Sequence, residues 1–196
     1  MFEAAVVGTS AGGFRALQTI IPALPAAFPL SIAIVQHLDA QADSYLAEHL
    51  QRLSAMRVKE AEDKESLAPG TAYLAPAGYH LLIEPDKSFS LSVDDKVRFS
   101  RPSIDLLFES AADAYGQSLI GVLLTGANAD GARGLEAIKR HGGLVIVQNP
   151  MTADAPYMPR AGLATVAPDY LENLEDIGPL LLRLGAGETY GIRTQS

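Results

Sequence analysis

The sequence predicts an α/β protein: one domain built on a doubly wound, mostly parallel sheet, with helices on both faces and a small antiparallel hairpin. Three observations predict it. Apolar runs at residues 4–7, 30–35, 119–124 and 144–147 are nearly continuous, as strands buried on both faces are. Segments of helical periodicity alternate with them, the pattern of β-α units. Two further apolar pieces, 81–83 and 89–93, flank Pro85-Asp86 and read as a hairpin.

Taken in order, the first run stops at Gly8, and Thr9-Ser10-Ala11-Gly12-Gly13 leads into a segment with Phe14, Leu17, Ile20, Ile21 and Leu24 on one face. That is a strand, a tight glycine turn and a helix. Pro22, Pro25 and Pro29 punctuate the connection to the second strand, which ends at Gln36-His37. A polar loop with Asp39 and Asp43 then precedes a helix expected over residues 44–53. Residues 57–61 and 71–75 are short strand-like pieces, set off by Pro69-Gly70 and Pro76-Ala77-Gly78. Ser103 is a candidate N-cap for a helix carrying Leu107, Phe108, Ala111, Ala112 and Tyr115. The strand 119–124 runs into the loop Thr125-Gly126-Ala127-Asn128-Ala129-Asp130-Gly131, and a helix with Leu135 and Ile138 follows, closed by His141-Gly142-Gly143. After the strand 144–147 and Gln148-Asn149-Pro150, Met158-Pro159-Arg160 opens a short helix. A last helix is expected over 174–184, interrupted at Gly178-Pro179.

Composition narrows the function. The 196 residues suffice for one such domain and are few for two. A formal charge of −8 and the lack of a basic-aromatic stripe argue against nucleic acid as a partner. With no cysteine, disulfides, thiolate chemistry and cysteine-based zinc sites are excluded. The four histidines show no close ligand pairing, so neither a metal nor a cofactor is expected. No apolar run approaches the ~20 residues that span a bilayer, and no basic n-region precedes the first strand. The reading is a cytoplasmic chain, not embedded in a membrane.

In a parallel sheet, ligands sit outside the carboxyl ends of the strands. Three such ends carry Ser10, His37 and Asp130, a set that can converge. A serine hydroxyl needs an imidazole to take its proton, and the imidazole needs a carboxylate to fix its tautomer. Each residue also has a plainer reading: Ser10 as a phosphate-loop or structural residue, His37 as a packed histidine, Asp130 as a helix cap. His49, His80 and His141 compete with His37, and Asp39 competes with Asp130 as its orienter. Gly8-Thr9-Ser10-Ala11-Gly12 matches the G-x-S-x-G elbow of α/β-hydrolases, but their serine follows several strands and their chain order is Ser…Asp/Glu…His. The dinucleotide and Walker fingerprints are not met.

Read together, Gly8-Thr9-Ser10-Ala11-Gly12-Gly13, Gln36-His37, Val58-Lys59-Glu60-Ala61-Glu62-Asp63, Arg101-Pro102-Ser103-Ile104-Asp105, Leu124-Thr125-Gly126-Ala127-Asn128-Ala129-Asp130-Gly131, Gln148-Asn149 and Met158-Pro159-Arg160 form an ordered set. From about Val6 to Leu184 the chain resembles the catalytic domain of the CheB family of bacterial chemotaxis methylesterases. The resemblance implies a doubly wound α/β domain that removes methyl groups from glutamate esters of chemoreceptors, with glutamine deamidation as an accompanying family activity. It implies Ser10 as nucleophile, His37 as general base and acid, and Asp130 as orienter. The oxyanion would be held by backbone N–H groups, those of Ala11 and Ala127. Three positions depart from the family pattern: Ala11 stands where threonine is usual, Ala127 where methionine is usual, and Asn128-Ala129 where Gly-Asn is usual.

The resemblance implies as partner the cytoplasmic region of a methyl-accepting chemoreceptor or a similar sensory protein. The family's N-terminal receiver domain has no room before Ser10, so residues 1–196 are read as one catalytic domain, with a core of about 4–185. A separate regulator is then one option. Because receptor methylation helices tend to be acidic, a basic rim of Arg15, Arg98, Arg101 and Arg160 is expected for substrate binding. Two other readings stand beside this one: a receptor-binding signalling module with little or no turnover, and a small-molecule carboxylesterase.

Overall fold

In the computed structural model, which describes residues 1–37, 45–97 and 99–188, the chain opens with β1 (Ala4–Thr9), α1 (Gly13–Ile20) and β2 (Ser31–Gln36). Then come α2 (Tyr45–Leu53), β3 (Arg57–Glu60), β4 (Thr71–Leu74), β5 (His80–Ile83) and β6 (Phe89–Ser92). The second half holds α3 (Ile104–Tyr115), β7 (Leu119–Leu123), α4 (Ala132–Arg140), β8 (Leu144–Gln148), α5 (Tyr157–Thr165), β9 (Tyr170–Glu172) and α6 (Leu174–Gly185). Seven strands form a wholly parallel sheet in the order β3-β4-β2-β1-β7-β8-β9, and β5 and β6 make a separate antiparallel hairpin.

Every residue of β1, β2 and β7 is buried, which explains why these strands read as unbroken apolar runs. Successive side chains point to opposite faces and feed two separate cores. Ala5 and Val7 join one cluster with Leu17, Ile20, Leu50, Ile177 and Leu181, from α1, α2 and α6. Ala4 and Val6 join the other, with Leu107, Phe108, Leu135, Ile138 and Met158 from α3, α4 and α5, and Leu81 and Phe89 from the hairpin.

The topology sets where a site can form. From β1 the chain moves to β2, then out to the edge strand β3 and back to β4 between the two, and after the hairpin it crosses through α3 to β7 on the other side of β1. The loops leaving β1 and β7 therefore run to helices on opposite faces, α1 and α4, and a crevice opens between them. Register fixes the level of its walls: Thr9 pairs with Gln36 and Gly8 with Leu123, so Ser10 and His37 emerge side by side.

Most expected elements are present, and two differ: the last helix and β9. The last helix runs unbroken through Pro179, because Leu174, Ile177, Leu180, Leu181 and Leu184 bury a continuous stripe against the α1 layer. The strand-like pieces 57–61 and 71–75 are β3, at one edge of the main sheet, and β4, between β3 and β2, both paired in parallel. The edge strand β9 is three residues long and only partly buried, too short to leave a sequence pattern. The expected helix start at Ser44, with Asp39 and Asp43 before it, lies outside the described residues.

Gly8 is where α3 comes down on the sheet. A Cβ there would lie 2.2 Å from Ile104 Cγ2 and 3.1 Å from Phe108 Cζ. Gly8→Ala must lift the start of α3 and should cost about 1–3 kcal/mol. The check is a lower urea midpoint at unchanged m-value; an unmoved midpoint would mean that α3 rises off β1 freely.

Candidate active site

Ser10 follows the last residue of β1. Its N–H donates to Thr125 O at 2.9 Å, and its carbonyl accepts from Gly13 N at 2.8 Å and Gln36 Nε2 at 2.9 Å. Gly12 turns the chain at φ 80°, a left-handed conformation that glycine takes without a steric cost. His37 follows β2, its N–H donating to Thr9 O at 3.0 Å. Gln36 Nε2 also donates to His37 O at 2.9 Å, so one buried amide ties both turns together.

The two ring nitrogens of His37 face different partners. Nδ1 stands 3.1 Å from Ser10 Oγ, and Nε2 stands 2.8 Å from Asp130 Oδ2. The imidazole is 12% exposed and the Asp130 side chain 0%. Asp130 is held by the start of α3: Ile104 N donates to Oδ2 at 2.7 Å, and Asp105 N to Oδ1 at 3.0 Å. Gly131 N and Ser103 Oγ donate to Oδ1 at 3.0 and 3.1 Å. Burial, the largest influence, pushes the Asp130 carboxyl up; hydrogen bonds from His37 and the Asp105 and Ile104 amides, with the charge of His37, outweigh it and hold the carboxyl below its ordinary value. An ionised carboxylate only accepts, which assigns the ring proton to Nε2 and aims the Nδ1 lone pair at the serine hydroxyl.

The plainer readings resolve partly. Asp130 does cap a helix, but it caps α3 from 25 residues away rather than the adjacent α4, whose N-cap is Gly131. Ser103 occupies the N-cap position of α3 and makes no side-chain bond to its own helix; its hydroxyl serves Asp130 instead. His80 is fully buried with a structural task, accepting from Ser103 N at 3.1 Å on Nδ1 while Nε2 lies 3.1 Å from Asp95 O. His49 contacts Gln18 and the rings of Phe14 and Tyr45, and His141 pairs with Asp113 at the end of α4. Asp39, the rival orienter, lies outside the described residues.

Sequence reasoning missed Thr125 as the knot of the crevice. Its carbonyl takes the N–H of Ser10 and the hydroxyl of Thr9, its hydroxyl donates to Ala11 O at 2.8 Å, and its own N–H goes to Gln148 Oε1 at 2.8 Å. The sequence marks Asn128 only as a departure from pattern. Its Oδ1 accepts from Asp130 N at 3.0 Å, and its Nδ2 reaches within 3.4 Å of His37 Nδ1. Ala11 and Ala127 are exposed at the crevice, and no acceptor among the described residues takes their N–H groups.

The candidate arginines are spread in their duties. Arg15 pairs with Asp154 at 3.0 Å, and Arg101 donates to the carbonyls of Val93 and Asp94 at 2.6 and 2.9 Å. Arg160 is exposed on α5 with no carboxylate partner among the described residues, and Arg98 lies outside them. Among the described residues no group of three or more His, Asp and Glu could hold a metal ion, and no helix is long and apolar enough to cross a membrane.

A hydroxyl, an imidazole and an ionised carboxylate in hydrogen-bonded series, at the carboxyl edge of a parallel sheet, form the kind of site that serine hydrolases use. The chain belongs to the CheB methylesterase family, whose model matches residues 5–181. A Leptospira interrogans protein named "Putative protein-glutamate methylesterase/protein-glutamine glutaminase" is 51% identical over 183 residues, covering 93% of this chain and 95% of that one. The Moorella thermoacetica protein-glutamate methylesterase/protein-glutamine glutaminase is 41% identical over 94% of this chain, which spans 45% of its length. The Thermotoga maritima CheB methylesterase catalytic domain superposes with a TM-score of 0.90 at 36% identity, over 94% of this chain and 99% of that one.

The low-lying Asp130 carboxyl has a thermodynamic consequence. Its ionised form is favoured by the fold, so its contribution is complete above the unfolded value of about 4 and lost as pH falls through the lower folded value. Unfolding free energy should therefore decline in acid below about pH 4. Asp130→Asn should remove that part of the decline while lowering stability at neutral pH. Identical acid profiles for both proteins would show that another group titrates.

Proposed function

We propose that this chain hydrolyses γ-methyl esters of glutamate on a chemoreceptor-like sensory protein in the cytoplasm, with deamidation of glutamine as a second reaction of the same site. The observation that carries it is the Ser10 Oγ–His37 Nδ1–Asp130 series, at 3.1 and 2.8 Å. Family membership and the names of the relatives support the substrate class.

The path follows from the geometry. Ser10 Oγ attacks the ester carbonyl as Nδ1 takes its proton, and the buried Asp130 carboxylate stabilises the imidazolium so formed. The N–H groups of Ala11 and Ala127 are the proposed oxyanion donors, each worth about 3–4 kcal/mol when preorganised. Neither needs a particular side chain for this task, so a backbone donor survives the alanines at both positions. The C–O bond breaks with its electron pair going to the methoxy oxygen, which takes the proton from Nδ1 and leaves as methanol. Water then enters by the reverse use of the same base and frees the carboxylate.

For substrate binding, Arg160 is the proposed cation of the rim, since Asp154 already neutralises Arg15 and backbone carbonyls engage Arg101. A separate regulatory partner belongs to the same proposal.

Ser10→Ala deletes one half-buried hydroxyl and should leave the melting temperature nearly unchanged. Methanol release from methylated receptor membranes should fall by at least ~10³-fold. Equal release by the variant and the parent would reject Ser10 as the nucleophile.

A further inference from the structure

Asn128 stands beside His37 Nδ1, the atom that hands its proton to the leaving group in the path given above. The atom that takes the proton from Nδ1 must stand about 3 Å from that nitrogen. The Asn128 amide group already addresses the same nitrogen, at 3.4 Å. Its orientation is set: Oδ1 is engaged by Asp130 N at 3.0 Å, so the NH₂ end is the one turned to the base. Asn128 therefore presents donors, and no acceptor, to the departing atom.

We propose that Asn128 is a specificity-determining residue that favours an ester over an amide as leaving group. This rests on the reading of Ser10 and His37 given above. The argument is a count of lone pairs. As the tetrahedral intermediate collapses, an ester oxygen has two lone pairs: one takes the proton from Nδ1, and the other accepts an N–H of Asn128. The C–O pair passes to that oxygen and methanol leaves. An amide nitrogen has one lone pair at this stage, which takes the proton from Nδ1. Its two N–H bonds then meet the N–H bonds of Asn128, donor against donor, and nothing offsets the displaced contact. The side chain so assists methanol and opposes ammonia.

Asn128→Asp tests this: the carboxylate keeps an acceptor for Asp130 N and replaces the donor end by an acceptor, and because the charge it adds beside His37 acts on both reactions, the ratio of the two rates is the readout. The substrates are two receptor-helix peptides that differ at one position, glutamate γ-methyl ester or glutamine, assayed for methanol and for ammonia. The ratio of ammonia to methanol rates should rise by roughly tenfold or more in Asn128→Asp, with Asn128→Ala between it and the parent. A ratio unchanged in both variants, with the two rates falling together, would overturn the proposal and leave Asn128 a loop-positioning residue. Ammonia undetected from parent and variants alike would overturn it too. Ser10→Ala separates the underlying reading: methanol release that survives that change sinks the nucleophile assignment, whatever the ratio does.

Discussion

The carboxylate of Asp130 set on the first turn of α3 is the contact on which the rest of the site depends. Two helix amides, one loop amide and the Ser103 hydroxyl all donate to it, and the remaining partner is the imidazole of His37. A buried carboxylate with fewer donors would take up a proton and lose its hold on the ring. The helix supplies what water would have supplied, at fixed positions. That is why Gly8 matters to the chemistry although it touches no reacting group: without a side chain there, Ile104 can sit against β1 and bring its amide within reach of Asp130.

The crevice is built by lacing adjacent strand ends rather than by a dedicated subdomain. Gln36 binds the turn of Ser10 to that of His37, and Thr125 binds the turn of Ser10 to the loop of Asp130. Gln148 extends the lacing to β8, with its Oε1 on Thr125 N and its Nε2 on Thr152 O. Gln36 Nε2, both amide ends of Gln148 and the Thr125 hydroxyl have partners in the neighbouring turns, while the buried Gln36 Oε1 has none among the described residues, so the side chains that brace the site also satisfy backbone groups where strands end. Fold and site are stabilised by the same hydrogen bonds.

Much of this was legible in the sequence, for a physical reason. Ser10, His37 and Asp130 end apolar strands, and the topology of parallel sheets gathers strand ends on one edge. What escaped depends on distance along the chain. Ser103 reads as an N-cap because its local context is that of one, yet its hydroxyl turns to a carboxylate 27 positions away. Arg15 reads as a free cation, yet Asp154, 139 positions on, neutralises it. The knot at Thr125 joins residues more than a hundred apart. The continuity of α6 through Pro179 is likewise a matter of what the helix packs against, and Asn128 shows its donor end only once Asp130 N is seen to hold the other.

Ser10 leads into α1, in the layer on one face of the sheet, whereas Asp130 is gripped by α3 and leads into α4, in the layer on the other. The alignment of serine hydroxyl, imidazole and carboxylate is therefore the sum of two independent packings, registered through a sheet one strand-layer thick. A repacking in either layer, remote from every reacting atom, tilts one end of the series relative to the other. The tolerance of this enzyme to change in its interior is accordingly set by the stricter of its two cores, and compensation must come from within the same layer.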